Sequence, residues 1–201
     1  MVVLAVLSVG VFMLSSCKEK AEQPAKSNAA VNTYSSESVY AEVKEQLKKN
    51  PNDADAHYHL ADLYDRGGLY KEAIEEYKIV AALKPKMGYV YVRMGTAYNQ
   101  MSQPAAAVDA FKEALKRMPD NPVIYNNLGV AYGKMGKYNE EIKELKKAIK
   151  IRPSYTTAHF NLGMTYLKLN DKKAAMKAHD ELATFDEGAA ATLLKTIEKA
   201  P

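Results

Sequence analysis

The sequence predicts an all-α protein, a solenoid of about four stacked helical hairpins. Two observations lead to this prediction: a repeat of 34 residues, and apolar residues spaced three and four apart inside each repeat. Prolines mark one phase of the repeat at Pro51, Pro85, Pro119 and Pro153, and tyrosines mark another at Tyr64, Tyr98, Tyr132 and Tyr166. A period of about 20 to 50 residues indicates stacked structural repeats, and the helical spacing selects the helical kind.

Each repeat is predicted to form two antiparallel amphipathic helices. In the third repeat Tyr125, Leu128 and Tyr132 share one helical face, and a second apolar set follows after Gly136. One hairpin cannot bury its apolar face alone, so the repeats must stack. The predicted units are residues 54–87, 88–121, 122–155 and 156–189. Small residues fall where two helices must approach closely, at Ala61, Gly95, Gly129 and Gly163.

Turn residues agree with these boundaries. Gly67, Gly68 and Gly136 can supply a left-handed residue after a helix. Asn121 followed by Pro122 predicts a helix N-cap with proline at the first helical position.

The segment Asn126 to Tyr138, N-N-L-G-x-A-Y-x-x-M-G-x-Y, resembles the tetratricopeptide repeat family, and the resemblance extends over residues 54–189. It implies a right-handed α-solenoid in which the first helix of each unit lines a concave groove. Among its departures from the family pattern, two affect the expected packing. Glu141 replaces an alanine, and His179 replaces an aromatic residue. We expect looser packing around both.

Two further helices are predicted at the ends of the repeats. Residues 38–50 carry Val39, Tyr40, Val43 and Leu47 at helical spacing and resemble the second helix of an incomplete leading unit. At the other end, residues 189–201 are predicted to form a capping helix whose apolar side contains Leu193, Leu194 and Ile197. Such caps cover the open apolar face of a terminal repeat.

The N-terminal segment, residues 1–17, is predicted to be a signal peptide. Its apolar run is far shorter than the roughly 20 residues that span a bilayer. It ends in Leu14-Ser15-Ser16-Cys17, which is similar to the bacterial lipobox, and Cys17 is the only cysteine of the chain. Cys17 is therefore the predicted lipid attachment point. Because no basic residue precedes the apolar run, we also hypothesise that the natural start lies upstream.

Residues 18–37 are rich in Lys, Glu, Gln, Pro, Ala and Ser, and we expect them to form a disordered tether of roughly 25 Å on random-coil scaling. A lipid, a tether and a solenoid together are typical of a lipid-anchored protein of the bacterial cell envelope. Lys18 follows the cysteine in place of the aspartate associated with inner-membrane retention, which favours the outer membrane, facing the periplasm. A Gram-positive or inner-membrane destination stays open.

Motifs for catalysis, metal binding and cofactor binding are missing from the sequence. It contains no glycine-rich phosphate loop, no paired-cysteine motif and no His-Glu-x-x-His helix. His57 and His159 occupy a packing position of the repeat. The net charge of +4 is too modest to predict nucleic-acid binding. The lysines of the third unit, Lys143, Lys146, Lys147 and Lys150, are interpreted as solvated helix surface. We therefore expect neither an enzyme nor a cofactor or metal site.

The remaining candidate site is the groove that the first helices would line. By periodicity its residues are Tyr58, His59, Asp62, Tyr89, Val92, Arg93, Thr96, Asn126, Asn127, Val130, Phe160, Asn161 and Met164. Arg93, Asn127 and Asn161 share one phase and should form a row of hydrogen-bond donors for the backbone of an extended peptide. The aromatic residues of the set would be apolar anchors. At any single position, an ordinary solvated helix residue is an equally good interpretation.

Together these features predict a membrane-anchored scaffold for protein–protein interaction. Its partner would be a protein or peptide segment during assembly of a cell-envelope complex, such as a secretion channel, a pilus base or an outer-membrane insertion complex. One alternative is an accessory or regulatory subunit that recruits an envelope enzyme acting on peptidoglycan or polysaccharide. The other is a lipoprotein that binds a peptide or a glycan directly in the groove.

Overall fold

The computed structural model describes residues 29–200, with side chains from residue 38 onward, and this part of the chain contains ten helices and no strand. The helices are α1 (Ala29–Lys49), α2 (Ala54–Arg66), α3 (Tyr70–Leu83), α4 (Gly88–Gln100), α5 (Pro104–Arg117), α6 (Pro122–Lys134), α7 (Tyr138–Ile151), α8 (Thr156–Lys168), α9 (Lys172–Ala183) and α10 (Glu187–Lys199).

The helices form two layers of a solenoid, which confirms the predicted fold class. Each first helix (α2, α4, α6, α8) packs against the second helix of its own hairpin and against the helix before it. Helices α4, α6 and α8 also contact one another in succession, and they approach more closely than the second helices do. The first helices therefore lie on the inner, concave side. They begin at residues 54, 88, 122 and 156, the predicted unit starts.

Close contact inside the second and third hairpins depends on a glycine in the first helix. A Cβ atom added at Gly95 would lie 2.6 Å from the Phe111 ring, and one at Gly129 would lie 3.1 Å from Leu145. Phe111 and Leu145 are completely buried. The glycines thus make room for a large side chain of the second helix, which offsets their low helix propensity.

The turn inside each hairpin uses one residue in the left-handed region at the same phase of the repeat. Gly68 and Gly136 have φ of 75° and 72°, as their positions predicted. Ser102 (φ 57°) and Asn170 (φ 56°) do the same without being glycine. The predicted cap is also present: the Asn121 side chain accepts a hydrogen bond from the backbone N–H of Val123.

Helix α1 packs on the first hairpin but starts earlier than predicted. Val43 is buried against Ala56 and Leu60, and the Tyr40 hydroxyl donates a 2.7 Å hydrogen bond to a backbone carbonyl of α2. The backbone is helical from Ala29, so residues 29–37 of the predicted tether belong to α1. Extending a helix costs less than nucleating one, and this stretch contains no proline or glycine.

Helix α10 closes the other end of the stack. It begins at Glu187, two residues before the predicted boundary, because Asp186 caps it through the N–H of Ala189. Leu193 is completely buried, and a Cβ atom at Gly163 would lie 2.6 Å from it. In the fourth hairpin, Leu193 of α10 therefore fills the space that a residue of the second helix fills in the second and third hairpins.

The two departures from the family pattern behave differently. His179 is half-buried, and its ring lies 2.9 Å from the Asp180 carboxylate, whereas Tyr77, Phe111 and Leu145 at the same phase are completely buried. Packing at His179 is thus looser, as expected. Glu141 contradicts the expectation, since it is only 4% exposed. Its carboxylate fits against Gly133, where a Cβ atom would lie 2.3 Å away.

The predicted signal peptide, the lipid site at Cys17 and residues 18–28 of the predicted tether lie outside the described residues. Within residues 29–200, no helix combines the length and the hydropathy of a membrane span.

The buried carboxyl group of Glu141 leads to a prediction about pH. Burial raises the pKa of Glu141, although the Lys168 charge opposes this effect. The folded chain then binds the proton more tightly than the unfolded chain, so stability is lost as pH rises from the usual range of glutamate through the raised pKa. We expect Glu141→Gln to raise the melting temperature by about 2–4 °C near neutral pH. The gain should vanish below about pH 4.

The exposed neighbour Glu140 supplies the control for thermal unfolding followed by circular dichroism. Glu140→Gln should leave the pH profile of the melting temperature unchanged. A Glu141→Gln variant that melted at a lower temperature than the wild type, both near neutral pH and below about pH 4, would contradict this explanation.

Candidate peptide-binding groove

The inner face of the solenoid carries the candidate site, and the predicted groove residues are distributed over its four helices, α2, α4, α6 and α8. These residues are not exposed to the same degree, as a uniform groove lining would require. His59 and Tyr89 are exposed, Tyr89 by 51%. Val92 and Asn126 are buried, at 8% and 4%, and the other nine are half-buried. Val92 and Asn126 therefore present little surface to a ligand, unlike the prediction.

The N-terminal half of the groove contains an ion cluster between the first two hairpins. Arg93 extends from α4 to α2, where its guanidinium donates to the Asp62 carboxylate and lies 3.5 Å from Asp65. Asp62 also lies 2.6 Å from Arg66 on its own helix. The two carboxylates are 13% and 12% exposed and Arg93 is 27% exposed. Burial raises the pKa of Asp65, and the Arg93 charge opposes this shift.

Arg93 is thus engaged within the protein and is not a free member of the predicted donor row. Its Nε atom is buried, and so is the Tyr77 hydroxyl, and neither has a hydrogen-bond partner among the described residues. Tyr58 lies beside this cluster, with its ring 5.9 Å from that of Tyr77. This end of the groove holds hairpins together.

The C-terminal half contains a chain of three asparagine amides that joins α8 to α6. The Asn161 amide nitrogen donates to the Asn126 oxygen at 2.9 Å, and the Asn126 nitrogen donates to the Asn127 oxygen at 3.2 Å. Two groups remain at the ends of this chain. Within residues 38–200, no hydrogen bond uses the Asn127 amide nitrogen or the Asn161 amide oxygen.

These two groups form one donor and one acceptor on the inner face. A peptide unit also has one N–H donor and one C=O acceptor. The predicted donor row is thereby reduced to Asn127, with Asn161 contributing an acceptor. Val130, three residues after Asn127, adds half-buried apolar surface. Phe160 and Met164 are also half-buried, and they pack on the apolar cluster formed by α9 and α10.

The buried histidines act as packing residues, as the sequence indicated. His57 and His159 are 8% and 2% exposed, and the Nε2 atom of each lies within 2.9 Å of the carbonyl oxygen of Pro51 or Pro153. The His57 Nδ1 atom lies 2.6 Å from Glu76. Among the described residues, no three His, Cys, Asp or Glu side chains are grouped so that they could hold a metal ion.

Sequence reasoning missed a regular feature of the outer face. In three places a lysine on one helix lies over a tyrosine ring on the next helix along the chain. The ammonium-to-ring-centre distances are 5.6 Å for Lys44 and Tyr64, 5.9 Å for Lys112 and Tyr132, and 5.9 Å for Lys146 and Tyr166. The signal was present, because these lysines and Lys78 recur every 34 residues, in step with the tyrosines. Each pair adds a cation–π contact at a junction between units.

The repeat geometry agrees with sequence profiles of known families. A TPR repeat profile matches residues 95–136 and 134–170, and two tetratricopeptide repeat profiles match residues 41–87 and 156–186. The chain belongs to the tetratricopeptide repeat (TPR) family. Members of this family are in general scaffolds for protein–protein interaction. No curated protein matches this TPR chain in sequence.

Solved TPR structures share the fold. A crystal structure of MamA is 24% identical, with a TM-score of 0.73, and the match covers 82% of this chain and 96% of MamA. YrrB, a TPR protein with an unusual peptide-binding site, is 19% identical, with a TM-score of 0.70 and coverage of 84% and 88%. The thermophilic TPR protein TTC0263 of Thermus thermophilus is 20% identical, with a TM-score of 0.62 and coverage of 86% and 95%. At these identities the likeness shows the fold alone.

The ion cluster predicts a structural role for Arg93. Arg93→Met would leave Asp62 and Asp65 without their shared cation, so we expect the free energy of unfolding in urea to fall by roughly 1–3 kcal/mol. The matched control is Arg66→Met, because Arg66 contacts the same Asp62 but is 76% exposed. That change should cost less than about 0.5 kcal/mol.

Adding Asp65→Asn to Arg93→Met should restore part of the lost stability, because it removes one unpaired charge. If Arg66→Met and Arg93→Met lowered the free energy of unfolding equally, the ion cluster would not join the two hairpins.

Proposed function

We infer that this TPR protein is a lipid-anchored scaffold whose inner groove holds an extended segment of a partner protein while a bacterial cell-envelope complex assembles. The observation that carries the proposal is the free donor of Asn127 and the free acceptor of Asn161 on the inner face. Because an extended peptide offers the complementary pair at every residue, the two amides can hold a backbone without reading its sequence.

The internal amide chain supports this use of the groove. Asn126 holds the Asn127 oxygen and accepts from the Asn161 nitrogen, so both amides are oriented before any ligand arrives. Orienting polar groups in advance reduces the entropy that binding must overcome. YrrB, with a similar fold, is described as having a peptide-binding site, which makes peptide binding by this architecture reasonable.

The N-terminal sequence supports the envelope part of the proposal. Leu14-Ser15-Ser16-Cys17 is similar to a lipobox, and residues 18–28 separate this cysteine from α1. Lys18 favours the outer membrane, with the solenoid in the periplasm. A lipid on Cys17 would keep the groove near the membrane at which such complexes assemble.

The groove is tested by Asn127→Asp. Aspartate keeps the oxygen that accepts from Asn126 and replaces only the free donor, so the internal chain can persist. We expect the amount of partner recovered by crosslinking and affinity purification from membranes to fall about tenfold or more, because the peptide carbonyl loses its donor and faces a carboxylate instead.

Asn139→Asp is the matched control, since Asn139 is exposed on the outer helix α7. Mass spectrometry of the co-purified proteins gives the readout. If both variants recovered the same partner in wild-type amounts, the groove would not be the binding site, although a scaffold acting through another face could still exist.

The lipid anchor is tested by Cys17→Ser. Metabolic labelling with an alkyne fatty acid should mark the wild-type protein and leave the variant unlabelled. The variant should also shift from the membrane fraction to the soluble fraction, because a single acyl chain or none binds membranes weakly. A wild-type protein that carried no label would remove the anchor from the proposal.

A further inference from the structure

The outer face between the third and fourth units contains a second surface suited to binding, here called the outer furrow. Helices α7 and α9 both pack on α8 and leave between them a cavity of about 260 Å³. Its floor belongs to the inner helix α8 and its walls to outer helices, so it opens away from the groove. Its lining includes Lys146, Leu162, Tyr166, Lys177, Ala178 and Glu181.

The outer furrow has an apolar floor and a positively charged rim. Leu162 and Ala178 are buried, and Tyr166 is half-buried beneath the Lys146 ammonium, 5.9 Å from its ring centre. Lys177 stands on the opposite wall. The rim thus places cations on both sides of an apolar cavity.

Helix periodicity adds Lys150 on the side of Lys146 and Lys173 on the side of Lys177. Within residues 38–200, no ion pair joins these four lysines to a carboxylate. The one acidic lining residue, Glu181, points to His159, with 3.5 Å between its carboxylate and the ring. Like charges four residues apart weaken a helix, so the arrangement has a cost that no internal partner offsets.

The second unit contains an equivalent cavity with a different charge pattern. Its floor is formed by Met94 and Tyr98, at the phases of Leu162 and Tyr166. Asp109 takes the place of Lys177. The two lysines on its rim, Lys112 and Lys116, both belong to α5, and Lys116 forms an ion pair with Glu113. The apolar shape is therefore a property of the repeat, whereas unpaired cations on both walls of the cavity are found between the third and fourth units.

Size and charge together select the occupant. The cavity is smaller than the roughly 300–1,000 Å³ of typical small-molecule sites, so it suits one side chain of a longer molecule. We propose that the outer furrow binds an acidic peptide segment of a partner protein, with one aliphatic side chain in the cavity and flanking carboxylates paired with Lys146 and Lys177. This site is separate from the inner groove and would let the scaffold hold two segments at once.

The test uses the purified protein and fluorescein-labelled peptides, with fluorescence anisotropy at about 10 mM salt, where charges act over roughly 30 Å. The peptide EELEE should bind, and QQLQQ and EEAEE should bind more weakly. Lys146→Glu combined with Lys177→Glu should weaken EELEE binding about tenfold or more, because each reversal opposes a ligand carboxylate. Circular dichroism should show unchanged folding of this double variant, because both lysines are exposed.

The control is the double variant Lys71→Glu and Lys86→Glu, which changes the net charge equally at exposed sites elsewhere. It should weaken EELEE binding much less than the Lys146→Glu and Lys177→Glu pair does, because its charges lie away from the furrow, and so should Asn127→Asp in the inner groove. No binding of EELEE would overturn the proposal, and so would equal losses for the two charge-reversed variants or equal affinities of EELEE and EEAEE. Binding to phosphatidylglycerol vesicles without binding to EELEE would assign the lysines to an anionic membrane surface instead.

Discussion

The fit of a large side chain against a glycine holds the second and third hairpins of this protein together. The Phe111 ring lies 2.6 Å from the position that a Cβ atom of Gly95 would take, and Leu145 lies 3.1 Å from that of Gly129. Close approach of the two helices buries the large side chain completely, and such burial stabilises by roughly 1.5–3 kcal/mol per side chain. Because one hairpin cannot bury all of its apolar side chains alone, the hairpins must stack, and the stack creates both the inner groove and the outer furrow.

Most of the fold could be predicted because it follows from local periodicity. The positions of proline and glycine within the repeat predicted where the first helices start. They also predicted the left-handed turns at Gly68 and Gly136 and the cap at Asn121. Ser102 takes the same left-handed turn because its position in the repeat requires it, which its residue type did not reveal. The start of α1 and the packing of Glu141 depend on neighbouring structure, and periodicity contains no information about them.

The candidate site was less accessible to sequence reasoning. Helical phase correctly placed Arg93, Asn127 and Asn161 on the inner helices, but it could not show which of their polar groups are already used. Those contacts cross from one unit to the next, as between Arg93 and Asp62 or between Asn161 and Asn126. The same limitation applies to the outer furrow, since its unpaired lysines differ from the paired Lys116 only through the side chains around them.

The cap formed by α10 determines how this architecture can change in length. Leu193 occupies the space against Gly163 from outside the hairpin, so the last apolar face is sealed by a helix that does not follow the 34-residue spacing. The exposed residues of α10 include Glu187, Lys195 and Glu198, so a hairpin duplicated after it would meet charged side chains. An insertion between two existing hairpins would keep this cap in place and would lengthen the groove from its middle.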